Sequence, residues 1–436
     1  MVALRSPARG GATADVHVVG GPVPGPPTAE PRHVLIVVQN LPVPFDRRVW
    51  LECQALTAGG YAVSVVCPRG PGEAPEEVRD GVTLYRYRAP RTGSGAAAYA
   101  WEYLYSFLAT AWLVARAWRR RRVDVLQACN PPDIFWPLAL ALRPAGVAFV
   151  FDHHDLCPEL YESKFHRRGP LYRVLRALEW CTFRTADRVV ATNESYRSVA
   201  VGRGGKPGAA VTVVRTGPDP AAMRAGPPCP ELRRGRRYLV VYLGVMGPQD
   251  GVDLAVRAVD HVVHRLGRSD VSFTFVGAGE SFAEVSALRD RLELVEHLEL
   301  PGRLPDGEVA RLLSTADVAL CPDPKNALND VSTMNKTMEY MAYGVPVVSF
   351  DLRETRISAG DAAVYATPND VAELARLVVE LLDDEARRRA MGSLARRRVV
   401  RTLAWPRQSA AYVRVFDLLT AVPDRCDRRG AAARSR

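Results

Sequence analysis

The chain has 436 residues, of which 47% are hydrophobic and 24% charged, a balance that is ordinary for a soluble globular protein. This length suggests about two or three domains. The net charge of +10 favours acidic partners such as nucleotide diphosphates or an anionic membrane surface. Because neither a zinc-finger spacing nor an aromatic RNA-binding signature accompanies this charge, we do not expect nucleic acid as a partner.

The cysteine pattern and the amino terminus both indicate a cytoplasmic protein. The eight cysteines are scattered without a CxxC pair, which is typical of reduced, mostly buried thiols. The amino terminus lacks the apolar core of a secretion signal, and no uninterrupted apolar run reaches the roughly 18 residues of a membrane span.

Two alternating patterns of short apolar strands and helices follow one another along the chain. The first opens with a strand at His33–Val38 and a helix at Arg47–Ala58, and the second with a strand at Tyr238–Leu243. Two such α/β units predict a doubly wound architecture with a ligand site in the cleft between the domains. The predicted segments are a disordered tail (1–30), a first Rossmann-like domain (31–216), a linker (217–236), a second Rossmann-like domain (237–403), a further helix (404–422) and a second disordered tail (423–436).

A glycine-rich loop, Gly244–Gly251, lies between the first strand and the first helix of the second unit. Glycines here let backbone N–H groups approach a phosphate, and the helix dipole adds to the attraction. We therefore take Gly244, Gly247 and Gln249 as candidate phosphate-site residues. An ordinary glycine-rich turn is the alternative, since the loop matches neither GxGxxG nor a Walker A motif.

The segment Met334–Gly344 predicts a helix on which Lys336 and Glu339 share one face. A Lys in the first turn, together with Met334 and Asn335, can supplement the amides that hold a diphosphate. A Glu one turn later can accept hydrogen bonds from two ribose hydroxyls. The alternative is a solvated ion pair between the two side chains.

Clustered His and Asp residues end a predicted strand of the first unit, in Phe151–Pro158. His153, His154 and Asp155 are suited to proton transfer or to hydrogen bonding with a substrate. Metal ligation and a purely structural loop are the alternatives. The loop Asn40–Asp46 also follows a strand, so we expect Asn40 and Asp46 at the first-domain side of the cleft.

An aromatic and aliphatic stretch, Trp112–Arg122, ends in four consecutive arginines. Such a helix can lie on an anionic bilayer. A core helix with a solvated end explains the same pattern.

Taken together, these motifs resemble the family-4 glycosyltransferases of the GT-B fold. The resemblance rests on Gly244–Gly251, Phe275–Gly279, Leu300–Leu304, Ser314–Leu320 and Lys336–Val348, in that order. It implies two Rossmann-like domains facing across a cleft, with a final helix that crosses back onto the first. It also implies a retaining transfer that uses no metal and no cofactor other than a nucleoside-diphosphate sugar as co-substrate.

The resemblance assigns roles to individual residues. It implies that Glu339 holds the nucleotide ribose, that His154 contacts the transferred sugar, and that Gly277 belongs to the donor site. The acceptor is then a glycan, a lipid-linked molecule or a small molecule, as in envelope polysaccharide or natural-product biosynthesis. Asn40, Asp46, His153 and Asp155 are expected on the acceptor side of the cleft. The arginine-ended helix favours an acceptor at the inner face of the membrane.

The chain departs from the family pattern at three positions. Val331 stands where the family has a first Glu, and Val245 and Asp250 stand where it often has an Arg and a Lys. Two phosphates in a cleft need donors or cations, so Lys336 becomes the first candidate for the main phosphate contact. Arg303 and Arg356 are the next candidates.

Three other functions share parts of this pattern. A dinucleotide-dependent oxidoreductase has similar α/β units, but Pro42 and Pro44 occupy the place of its glycine-rich turn. A non-catalytic nucleotide-sugar-binding protein would explain Val331 and the missing loop cations. An epimerase or a phosphorylase on the same fold is a further alternative.

Overall fold

The computed structural model describes residues 30–90 and 96–421. The two segments predicted to be disordered tails, 1–30 and 423–436, lie outside these residues except for Glu30. No helix in the described part of the chain is long and apolar enough to span a bilayer.

The first domain is built on an eight-stranded sheet with the order β3-β4-β2-β1-β5-β6-β7-β8. Its pairs are parallel except for β3 and β4, which run antiparallel at one edge. The strands are β1 (His33–Val37), β2 (Ala62–Pro68), β3 (Glu76–Arg79), β4 (Val82–Tyr87), β5 (Val125–Cys129), β6 (Ala148–His153), β7 (Arg188–Ala191) and β8 (Val211–Val213). The helices are α1 (Arg47–Ala58), α2 (Ala96–Arg120), α3 (Trp136–Leu142), α4 (Cys157–Phe165), α5 (Pro170–Thr185) and α6 (Glu194–Gly202).

The second domain is built on a six-stranded, wholly parallel sheet with the order β11-β10-β9-β12-β13-β14. The strands are β9 (Tyr238–Leu243), β10 (Val271–Val276), β11 (Leu298–Gly302), β12 (Val318–Cys321), β13 (Val347–Phe350) and β14 (Ala363–Ala366). The helices are α7 (Val252–Asp260), α8 (Phe282–Arg291), α9 (Asp306–Thr315), α10 (Asn335–Ala342), α11 (Arg353–Ala359), α12 (Val371–Asp383) and α13 (Glu385–Arg398).

Each sheet carries an apolar core on both of its faces, as expected for parallel strands covered by helices. On one face of the first sheet, α2, α3, α5 and α6 share a single cluster. On the opposite face, α1 packs beside the last helix, α14 (Trp405–Thr420). Tyr412 and Phe416 of α14 are fully buried there, so the carboxyl end of the chain packs on the first domain. The predicted pair of doubly wound α/β domains is confirmed.

Candidate active site

The carboxyl ends of both sheets meet at one cleft, and the candidate residues lie on the loops around it. The second domain contributes the loop after β9, the turn after β10 and the start of α10. The first domain contributes the loops after β1, β6 and β7. Direct contacts cross between them: Asn193 Nδ2 donates to the carbonyl of Val331 at 2.9 Å, and Lys164 pairs with Glu280 at 3.0 Å.

The glycine-rich loop Gly244–Gly251 is supported from behind by the turn after β10. Gly277 has a φ of 153°, and a Cβ there would lie 1.8 Å from the carbonyl oxygen of Gly244. Met246 N donates to Ala278 O at 3.1 Å, which joins the two loops. Only glycine permits this close backbone approach, so the resemblance to a phosphate-binding loop has a structural counterpart.

Lys336 lies beside this loop in a buried ion pair that the sequence did not indicate. Its Nζ is 2.8 Å from Asp323 Oδ1, and its side chain is only 10% exposed. The same ammonium lies 4.9 Å from the centre of the Tyr242 ring. Burial opposes the charge, but Asp323 outweighs it and raises the pKa of Lys336 well above its usual value. Lys336 is therefore a permanent cation with a built-in counter-ion.

Asp250 stands where the family often has a basic residue, and its carboxylate binds a backbone amide of the same loop. Its Oδ2 accepts a hydrogen bond from Gly247 N at 2.9 Å, and its Oδ1 lies 4.0 Å from Lys336 Nζ. Burial raises the pKa of Asp250 to about 6 against the opposing pull of Lys336. A carboxylate is thus already bound at an amide that a phosphate-binding loop would offer to its ligand. Gln249 lies next to it, with Nε2 3.2 Å from Asp250 Oδ2.

Glu339 lies one turn after Lys336 and pairs with a residue of the opposite domain. Its Oε1 accepts a hydrogen bond from Arg47 Nη1 at 3.0 Å. Arg47 is the first residue of α1, and the neighbouring Phe45 stacks under the guanidinium of Arg303 at 4.7 Å. Lys336 and Glu339 therefore do not form the solvated ion pair that was the alternative for this helix.

Position 331 serves the contact between the domains. Val331 packs against the apolar cluster of the first domain, and its carbonyl accepts from Asn193. The neighbouring polar residues are also engaged, because Asp330 accepts from Arg353 N at 3.0 Å and Asn329 donates to Gln249 O at 2.8 Å.

His154 lies at the end of β6 and is held by a buried network. Its Nδ1 is 2.8 Å from Asp152 Oδ2, and Asp152 in turn binds Arg48 at 2.6 Å. Asn130 Oδ1 accepts from His154 N at 2.9 Å, which fixes the loop. Burial disfavours the imidazolium, but Asp152 outweighs it and raises the pKa of His154. With its Nδ1 bound to Asp152, His154 presents only Nε2 to a ligand.

The network behind His154 extends to the carboxyl-terminal helix. Arg48 Nε is 3.1 Å from Glu52, Gln127 Nε2 donates to Glu52 at 2.7 Å, and Tyr412 of α14 donates to Gln127 at 2.7 Å. Glu52, Cys129 and Asp152 form the one cluster of potential metal ligands in the described residues. Since the guanidinium of Arg48 binds both carboxylates, it supplies the positive charge there.

Three predicted site residues have other roles than those expected from the sequence. His153 is fully buried, and its ring packs against Phe183 at 4.9 Å, because β6 continues through this residue and turns it toward the core. Asp46 is 8% exposed and caps α1 by accepting from Val49 N at 3.1 Å. Arg356 binds Asp351 and lies 4.2 Å from the ring centre of Tyr365. The predicted contact of His153 with the acceptor is therefore wrong, because its ring is buried in the core.

The remaining predicted residues lie on the cleft loops. Asn40 is exposed and Asp155 half-buried on the first domain, while Met334 is half-buried and Asn335 exposed at the start of α10. Sequence reasoning missed Arg47, Arg48, Asp152, Asn193 and Asp323. Asp152 was within reach, since it shares a strand face with His154 at a spacing of two residues.

A large cavity lies away from this cleft. It has a volume of about 920 Å³ and opens at the amino ends of the first sheet's strands, where Arg32, Asp124, Arg143 and Arg188 line it. Ligands of parallel α/β sheets bind at the opposite, carboxyl ends. We therefore assign the site to the cleft.

Comparison with known proteins agrees with this geometry. Residues 45–217 match the family model described as "Glycosyl transferase 4-like domain", and residues 237–384 match "Glycosyl transferases group 1". The chain belongs to the family-4 glycosyltransferases. It is thus a glycosyltransferase, and the oxidoreductase alternative is set aside.

The chain is 26% identical to 2-deoxystreptamine glucosyltransferase of Streptomyces kanamyceticus over 293 residues, which is 63% of this chain and 74% of that one.

Solved structures place the fold in the GT-B class. Sucrose-phosphate synthase from Thermosynechococcus elongatus superposes with a TM-score of 0.71 at 15% identity, covering 89% of this chain and 99% of that one. The Anabaena protein HepE, solved in complex with UDP and glucose, superposes with a TM-score of 0.67 at 15% identity, covering 90% and 100%. At these identities the likeness shows the fold alone.

Proposed function

We propose that this glycosyltransferase moves a sugar from a nucleoside diphosphate to a glycan, lipid-linked or small-molecule acceptor, with retention of anomeric configuration. The main observation in support of this donor is that Lys336 and Glu339 lie one turn apart on α10, next to the loop Gly244–Gly251. A cation and free helix amides suit a diphosphate, and a carboxylate at this spacing suits the ribose hydroxyls. The UDP bound by HepE supports the same class of donor.

The proposed mechanism starts from the negative charge that develops on the leaving diphosphate. As the glycosidic bond breaks, negative charge grows on the leaving diphosphate, and Lys336 with the amides at the start of α10 stabilises it. His154 donates from Nε2 to the transferred sugar when it is protonated, because Asp152 occupies its Nδ1. The acceptor enters over Asn40 and attacks the face from which the diphosphate departs. No enzyme nucleophile is then needed, and closure of the cleft protects the donor from water.

A thermal-shift screen of nucleotides and nucleotide sugars tests the donor, because a ligand that binds only the folded state raises its melting temperature. We expect a diphosphate or its sugar ester to stabilise the protein, and nicotinamide cofactors to have no effect. Transfer from the stabilising donor is then measured with radiolabelled sugar. Absence of stabilisation by every nucleoside diphosphate and absence of transfer would overturn the proposal.

We further propose that the first domain rests on an anionic bilayer, where a lipid-linked acceptor of envelope glycoconjugates would be found. The outer face of α2 exposes Trp101 (59%), Leu104 (52%), Leu108 (57%) and Trp112 (61%). Their spacing of three to four residues puts them on one side of the helix, over about 17 Å. Arg119 continues this face at the helix end. Tryptophans beside arginines are typical of a bilayer surface.

A second helix on the same face of the domain repeats this composition. On α5, Leu171, Val174 and Trp180 are 45%, 51% and 53% exposed, and Arg173 lies between them. Both helices pack into one core cluster on the same face of the first sheet. Apolar area together with cationic residues binds anionic lipid in preference to neutral lipid.

Sedimentation with vesicles tests this surface. We expect binding to phosphatidylcholine vesicles that contain phosphatidylglycerol, and weak binding to phosphatidylcholine alone. The triple variant Trp101→Ser/Leu104→Ser/Trp112→Ser should lose this binding, whereas Val295→Ser, an exposed apolar residue of the second domain, should keep it. Equal binding of both variants would contradict the assignment.

A further inference from the structure

One hydrogen bond in the cleft joins Glu339, the proposed ribose ligand, to Arg47 of the opposite domain. Arg47 Nη1 lies 3.0 Å from Glu339 Oε1, with side chains 58% and 20% exposed. Two residues before Arg47, the ring centre of Phe45 lies 4.7 Å from the guanidinium carbon of Arg303. The start of α1 therefore reaches across the cleft and occupies the group that the proposed function reserves for the nucleotide.

The fixed charges of the phosphate site do not suffice for a diphosphate. Asp323, 2.8 Å away, already neutralises Lys336, and the carboxylate of Asp250 lies 4.0 Å from the same ammonium. Val245 leaves the other loop position uncharged. A diphosphate placed here meets a site with a net charge near zero or below, so it requires a further cation.

Arg47 can supply that cation by a short movement. Residues three apart on a helix have their Cβ atoms about 5–6 Å from each other, so the phosphate beside Lys336 lies about one turn from Glu339. The side chain of Arg47 is more than half exposed and pivots from the first turn of α1. Its planar guanidinium also matches two phosphate oxygens at once.

We propose that Arg47 is a diphosphate ligand that exchanges partners when the donor binds. In the empty cleft it neutralises Glu339. The ribose hydroxyls then donate to Glu339 and displace the guanidinium, which moves to the diphosphate. The inference rests on the proposed nucleotide-sugar donor. It assigns to the first domain a cation that the loop Gly244–Gly251 lacks, and it makes donor binding itself draw the two domains together.

Calorimetric titration with UDP and UMP, and with GDP and GMP, distinguishes this exchange from a simple cap on Glu339. In Arg47→Ala, we expect affinity for the diphosphate to fall about tenfold or more and affinity for the monophosphate to change less than about threefold. Arg47→Lys should recover part of the loss, because it keeps the charge. Arg167→Ala, an exposed arginine of the same domain, should bind like the wild type. Unchanged melting temperatures would show that the variants fold.

A simple cap gives the opposite result. If Arg47 only occupies Glu339, its removal frees the carboxylate, and both nucleotides should bind as tightly as before or more tightly. That outcome would overturn the inference while leaving the proposed function in place. Failure of the wild-type protein to bind any nucleoside diphosphate would overturn the proposed function and the exchange with it.

Discussion

Replacing Lys336 perturbs both the fold and the donor site, and the structure separates the two effects. The ammonium lies 2.8 Å from Asp323, and the side chains are 10% and 2% exposed. Loss of one partner leaves a buried charge uncompensated, which costs about 3–5 kcal/mol. In a domain of this size each kcal/mol lowers the melting temperature by about 2–4 °C, so Lys336→Met should melt on the order of 10 °C lower.

The double variant Lys336→Met/Asp323→Asn removes both charges together. Replacing a buried ion pair by uncharged groups is often close to neutral, so most of the lost stability should return. The diphosphate contact should stay lost. A hydrogen bond to a charged group is worth about 1.5–3 kcal/mol, so donor affinity should remain roughly tenfold to a hundredfold below the wild type.

Thermal unfolding and calorimetric titration with the nucleoside diphosphate measure the two quantities on the same samples. Asp323→Asn alone is the matched control, because it keeps the ammonium and removes its counter-ion; it should bind the diphosphate at least as tightly as the wild type. A double variant that regains stability and also binds the diphosphate normally would refute the phosphate role of Lys336.

Two further substitutions test the remaining charges of the cleft. Asp250 has a pKa raised by burial to about 6, so it is neutral below that pH and repels a diphosphate above it. Affinity for a nucleotide sugar should therefore fall as the pH rises through about 6, and calorimetric titration of Asp250→Asn should show no such fall; an identical fall in the variant would exclude Asp250 as the cause. His154→Ala should lower kcat roughly tenfold to a hundredfold and leave the donor KM within about threefold, because its proposed contact is with the sugar and not with the nucleotide; normal turnover in steady-state transfer kinetics would contradict that contact.

The regular elements were predictable because their apolar periodicity is local. The strand Tyr238–Leu243 and the helix Arg47–Ala58 match their predictions. The antiparallel edge formed by β3 and β4 was not predicted. β3, Glu76–Arg79, is polar and half-exposed, so it carries no apolar signal that marks a strand.

The site was predictable only where its residues lie on one element. Lys336 and Glu339 were paired by their spacing on α10, but their true partners are Asp323 and Arg47, the latter 292 positions away in the chain. The first pair lies within the second domain and the second pair joins the two domains, and no local pattern indicates either contact. The sequence did not distinguish the roles of His153 and His154, because only the end point of β6 decides which ring faces the core.

Val331→Glu tests whether the departure at that position is a lost sugar contact or a domain contact. The wild-type side chain packs on the apolar cluster of the first domain, and its carbonyl accepts from Asn193 at 2.9 Å. A carboxylate there enters an apolar surface, so we expect about 1–3 kcal/mol of destabilisation and lower transfer activity. Val331→Gln, of similar size but uncharged, should lose less stability. Thermal unfolding and transfer rates measure both; a Glu variant with wild-type stability and tighter donor binding would mean that position 331 faces the sugar after all.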